Sequence, residues 1–154
     1  MAMALAIFVT ASLTGQSNNF WNKIDEKTIK KDQRERSIVP SKYEVQNLDL
    51  ESLRDYLKAA PKEDFTSNEP GLEIQIPLEN DSYATFELFD SPVMEEGLAS
   101  RYPRIKSYKG IDKNNPLNSV RISVTPRGFH AAIHMLNKVV YIDCLLYTSD
   151  AADD

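Results

Sequence analysis

From Leu72 onward apolar and polar side chains alternate in short runs, and the breaks in that alternation mark turns and helices. Leu72, Ile74 and Ile76 stand against Glu73 and Gln75, which predicts a half-buried strand. Glu79 to Ser82 (ENDS) is a tight turn, and Ala84, Phe86 and Leu88 return on the next strand. The pair reads as an antiparallel hairpin. Ile105 to Ile111 is a further strand, and Asp112 to Asn118 (DKNNPLN) a loop. Val120, Ile122 and Val124 then alternate with Arg121, Ser123 and Thr125. In Thr125-Pro126-Arg127-Gly128 the proline sets a turn and the glycine takes the left-handed position. Phe129, Ala131, Ile133 and Met135 return on one face. Leu136-Asn137-Lys138 turns again before Val139 to Ile142, so three consecutive strands form a meander.

Two stretches change period. Asp49 stands as an N-cap before Leu50, Leu53, Tyr56 and Leu57, whose spacing predicts an amphipathic helix closed by Pro61. Its apolar stripe faces the domain's own core, with a partner-binding helix as the alternative. Ser91-Pro92 starts a second, short helix, with proline at its first position, Glu95 and Glu96 near its positive end, and Met94 and Leu98 on one face. Pro103 ends it. Ser41 to Leu48 alternates Tyr43 and Val45 against Lys42, Glu44 and Gln46 and reads as a first strand. Before it, Asn18 to Arg36 is polar, with six basic and four acidic residues between Lys23 and Arg36. Phe20, Ile24 and Ile29 leave a thin apolar stripe, which predicts a loose helix or an extended, solvated leader rather than a basic binding patch. The fold class expected is α+β, mainly antiparallel sheet with two short helices.

Composition alters this picture at both ends. Ala2 to Leu13 is an uncharged, mostly apolar run, too short to span a bilayer but suited to a signal-peptide core, with Gly15 at the cleavage point and Gln16 as the mature N-terminus. No Lys or Arg precedes the run, and Leu13 is large for its place three residues before cleavage. Cys144 to Asp153 resembles the translation of one frame of a widely used transposase-adapter DNA, so residues 144–154 read as sequencing read-through and are set aside from the fold. That tail holds Asp150, Asp153 and Asp154 without a basic residue. Removing them takes the formal charge from −5 to −2, and nothing in that balance suggests a nucleic-acid surface. The chain's one cysteine, Cys144, lies there too. Residues 1–143 therefore exclude disulfides, thiolate zinc sites and cysteine nucleophiles. The 154 residues suit one domain of ordinary size.

Four constellations invite chemistry. His130 and His134 lie four apart, as in the H-E-x-x-H zinc motif, but Ala131 occupies the place of the general-base glutamate. Their segment also alternates as a strand, where four residues span about 13 Å, too far for two imidazoles to share a metal. They read as structural histidines. Asp112-Lys113-Asn114 begins like a calcium loop, yet Leu117 stands where that loop needs glycine and Ser123 where it needs glutamate. Glu95 and Glu96 point about 100° apart on a helix and are no catalytic carboxylate pair. Asn80-Asp81-Ser82 matches a glycosylation sequon, but a turn asparagine explains it better. No G-x-G phosphate loop and no G-x-S-x-G elbow occurs. Catalytic, cofactor-binding and metal-binding residues are accordingly none.

A resemblance goes further. Leu48-Asp49-Leu50, Gly71-Leu72, Ser91-Pro92-Val93-Met94, Tyr102-Pro103, Ile105-Lys106-Ser107-Tyr108, Gly110-Ile111-Asp112, Thr125-Pro126-Arg127-Gly128-Phe129-His130 and Tyr141-Ile142-Asp143 together resemble the N-terminal pro-region of secreted bacterial reprolysin-like (adamalysin-type) zinc metalloproteases. The likeness runs from about Tyr43 to Asp143. Lys113-Asn114-Asn115-Pro116 departs from it, where relatives often carry an Asp-Pro step. The resemblance implies export to the cell surface or medium, a zinc endopeptidase domain further along, and a non-catalytic pro-domain that assists that domain's folding or keeps it latent. The zinc belongs to the downstream domain, which is also the expected partner; no membrane span is expected. The organisation expected is a signal peptide at 1–15, a polar leader at 16–40, the pro-domain at 41–143 and read-through at 144–154. With neither thiolate nor paired imidazoles, such a domain acts by covering the protease surface, through an extended arm such as Ser37 to Ser41 or an exposed sheet edge. A stand-alone secreted or periplasmic binding module is the second reading.

Overall fold

The computed structural model describes residues 20–25, 27, 41–64 and 69–143. The expected signal peptide, the read-through tail, most of the leader and nearly all of the Ser37–Ser41 arm lie outside the described residues. Six strands follow one another in space in chain order: β3 (Leu72–Pro77), β4 (Tyr83–Asp90), β5 (Lys106–Asp112), β6 (Ser119–Thr125), β7 (Gly128–Met135) and β8 (Lys138–Ile142). Each pairs antiparallel with the next. The expected hairpin and meander are thus parts of one sheet, which is mainly antiparallel and accompanied by two helices, α1 (Leu50–Leu57) and α2 (Glu96–Arg101). Two further short strands, β1 (Trp21–Lys23) and β2 (Gln46–Leu48), pair with each other.

Turn chemistry fixes the register. Asn80 and Asp81 both have positive φ, 58° and 56°, as the central residues of a type I′ hairpin turn require, and after glycine asparagine and aspartate tolerate it best. Ser82 closes the turn by donating from its hydroxyl to the Glu79 carbonyl at 2.7 Å. At the β6–β7 hairpin Thr125 pairs with Gly128, whose φ of 136° only glycine takes without strain. Gly110 serves packing instead. A Cβ there would lie 2.5 Å from Leu88 Cδ2 and 2.9 Å from the Glu87 carbonyl oxygen.

One face of the sheet is the core. Ile74, Ile76, Phe86, Leu88, Val120, Ile122, Phe129 and Ile133 are buried on it with Leu53 and Leu57 of α1. Leu53 and Leu57 are fully buried, worth about 1.5–3 kcal/mol each in removed apolar surface. Asp49 caps α1 as expected, accepting from the Ser52 amide at 3.1 Å and the Ser52 hydroxyl at 2.6 Å. Those bonds hold its carboxyl below the usual range, the hydroxyl contributing most. Arg54 and Tyr56 tie the helix to the sheet, donating to the carbonyls of Thr125 (2.5 Å) and Glu73 (2.6 Å).

Three expectations are corrected. The leader is not solvated throughout: Phe20 and Trp21 are buried, Phe20 against Tyr56 and Trp21 against Phe129. The apolar stripe read there began at Phe20 but left out Trp21, the more deeply buried of the two. The strand at Ser41–Leu48 is only Gln46–Leu48, because β1 offers three partners, from Trp21 to Lys23. Tyr43 stands exposed before it. Helix α2 begins at Glu96 rather than at Pro92, and Met94 lies outside it. Ser91 is unavailable as its cap. Its amide extends the sheet to the Ser107 carbonyl at 3.0 Å, and its hydroxyl donates to Glu63 at 2.8 Å. Leu98 is exposed, so the expected Met94–Leu98 face does not form.

Candidate functional site

The two ends of the sheet differ. Strand β3 is one edge, and two side chains close it: the Tyr56 hydroxyl donates to the Glu73 carbonyl, and the Trp21 indole N–H to the Gln75 carbonyl at 3.1 Å. Strand β8 is the other edge. Among the described residues no strand pairs with its outer side, and Val139 (39% exposed) and Tyr141 (71%) stand in solvent. An uncovered apolar edge is a template for an added strand.

The face opposite α1 carries the polar positions of the alternation. Register places Lys109, Arg121, Ala132 and Tyr141 in one row across β5–β8, and Ser107, Ser123 and His130 in the next. A trough of about 360 Å³ opens along these rows, lined also by Val93 and Asp143. The small Ala132 between Arg121 and Tyr141 leaves its depth.

His130 Nδ1 lies 3.0 Å from Asp143 Oδ1. A carboxylate there accepts from Nδ1–H, which leaves Nε2 of the neutral ring as the acceptor. His130 and Ser123 are cross-strand neighbours, yet no hydrogen bond joins them among the described residues. Ser123 therefore has no base in contact, and the row is not assembled as a nucleophile. Tyr108, under the trough, is pushed up to about 12, chiefly by burial and then by the Asp90 carboxylate. It stays protonated at physiological pH and is no base either. Lys109 donates to Glu63 at 2.5 Å, and that bond, followed by the one from Ser91, holds the Glu63 carboxyl below its ordinary range.

The residues singled out in the sequence fall elsewhere or do other work. His130 and His134 share β7 and its outer face, but His134 lies in another row, opposite Ser119 and Val139, and is exposed. Neither is in the core. Asp112 is buried and spends both carboxylate oxygens on its own loop, accepting from the Asn114 amide and the Asn118 side chain, each at 2.9 Å. Glu95 is the residue before α2 and Glu96 its first; both are exposed. Among the described residues no group of three or more His, Cys, Asp or Glu is placed to hold a metal ion, and no helix is long and apolar enough to cross a membrane. Arg121, Ser107, Ser123, Tyr141 and Asp143 were not foreseen as a group. The signal was present: counting outward from the turns at Pro126-Arg127 and Leu136-Asn137 brings Ser123 and Asp143 to either side of His130. Compared with known proteins, the chain matches no family model, no curated protein and no solved structure.

Proposed function

We propose that this chain is the non-catalytic pro-domain of a secreted zinc metalloendopeptidase, and that it assists the folding or latency of a catalytic domain encoded downstream. The resemblance read from the sequence supports the class. The observation that carries the mode of action is the asymmetry of the two sheet edges. Tyr56 and Trp21 close β3, whereas β8 presents Lys-Val-Val-Tyr-Ile with Val139 and Tyr141 exposed. Strand addition there gives main-chain hydrogen bonds for affinity and side-chain pockets for selection. Contact of this kind needs no group on the enzyme's zinc, in keeping with a sequence whose one cysteine is Cys144. On this reading the domain is an α+β unit, exported by the segment at 1–15, with zinc held by the downstream domain alone.

The test is to mix the purified chain with the mature enzyme and follow peptide hydrolysis and recovery from denaturant. Inhibition or accelerated refolding is the expected result. If both are absent, the pro-domain reading fails. The outer-face trough favours the second reading, a stand-alone secreted binding module, which would bind a ligand without affecting any protease.

A further inference from the structure

The outer face of the sheet holds a cation that the fold does not neutralise by contact. Lys109 and Arg121 are directly opposite in the β5–β6 register, and like charges placed so repel. Glu63 hydrogen-bonds only one of them. Its Oε1 accepts from Lys109 and its Oε2 from the Ser91 hydroxyl, whereas Arg121 acts on Glu63 only through space. Among the described residues no hydrogen bond engages the Arg121 guanidinium, nor the hydroxyls of Ser107 and Ser123.

These three residues line the same trough. Ser107 and Ser123 are cross-strand partners one row from Arg121. Guanidinium and hydroxyl groups are donors whose natural complement is an oxyanion, and the planar fork of arginine grips carboxylate or phosphate through two parallel bonds. The Asp143 carboxylate is 76% exposed and directed to His130, so it does not fill the place beside Arg121.

We infer that the trough is an oxyanion site. Arg121 is its anchor, the Ser107 and Ser123 hydroxyls complete the donor set, and Tyr141 forms a wall for the body of the ligand. The ligand class is a carboxylate- or phosphate-bearing molecule, and the inference does not depend on the pro-domain reading.

The experiment is an NMR titration of the full chain at low ionic strength with sodium phosphate and, separately, sodium acetate, following the Arg121 Nε–Hε signal and the Ser107 and Ser123 amides. A saturable shift confined to these signals is expected, lost in Arg121→Gln and weakened roughly tenfold in the Ser107→Ala/Ser123→Ala double variant. Saturation by acetate alone identifies a carboxylate site, and by phosphate alone a phosphate site. The serine variant guards against misfolding of the arginine one. Shifts that rise linearly, spread over the lysines, or persist unchanged in either variant would overturn the inference.

Discussion

Trp21 meets Phe129 edge-on, with ring centroids 5.3 Å apart and planes at 78°, while its indole N–H bonds the Gln75 carbonyl on β3. One residue near the start of the described chain thus joins β7 to the far edge of the sheet. Trp21→Ala removes a buried indole, an aromatic pair and an edge-strand hydrogen bond together. A loss of about 3–5 kcal/mol is expected, a large part of the stability of an ordinary domain. Trp21 is also the chain's single tryptophan. Its fluorescence should therefore change at the same urea concentration as the β-sheet circular dichroism. Two separate transitions would show that the arm is not part of the cooperative unit.

Gly110→Ala should destabilise by about 1–3 kcal/mol. The new Cβ meets Leu88 Cδ2, which can shift, but also the Glu87 carbonyl oxygen at 2.9 Å, which is held in the β4–β5 ladder. Gly97→Ala is the control, because nothing lies within 4 Å of a Cβ there, and helix propensity favours alanine by about 1 kcal/mol. Urea midpoints of the two variants should move in opposite directions.

Acid weakens the fold partly through Glu63. Its folded-state pKa is lowered, first by the Lys109 hydrogen bond and then by that from Ser91. The stabilisation is complete above the ordinary glutamate value and disappears as pH falls through the lower, folded one. Glu63→Gln should therefore be less stable near neutrality and should lose less stability on acidification into that range. Parallel stability–pH curves for the two proteins would refute this contribution.

The β8 edge can be tested without disturbing the core. Val139→Lys/Tyr141→Lys places charge beside the edge, where natural sheets use lysine to prevent strand addition. Both side chains are exposed, so thermal stability should stay within about 0.5 kcal/mol. On the proposed pro-domain function, inhibition or refolding of the protease should be lost. Full retention of either would move the contact surface elsewhere.

Much of this architecture was legible because period-two alternation and turn residues act locally. Asn80-Asp81, Pro126-Gly128 and the Asp49 cap dictate backbone geometry within a few residues, and the structure shows each in place. What sequence reading lost depended on distant partners. Trp21 is buried because Phe129 and Gln75, more than a hundred and more than fifty residues away, wait for it. Pro92 does not open a helix because Ser91 is held by Ser107 and Glu63. The outer-face cluster was hidden for another reason. Arg121, Ser107 and Ser123 belong to the polar half of each strand's alternation, which in any single strand reads as solvated surface. Only stacking the strands in register turns them into a group.

The most direct measurement is the nucleotide sequence of the source DNA read across the Asp143 codon. The pro-domain account predicts that the native reading frame continues past Asp143 without the Cys144–Asp154 segment. It further predicts an H-E-x-x-H helix motif in that frame within roughly the next few hundred residues, the span of one or two further domains. A stop codon soon after Asp143, or a continuing frame of that length without the zinc motif, would contradict it.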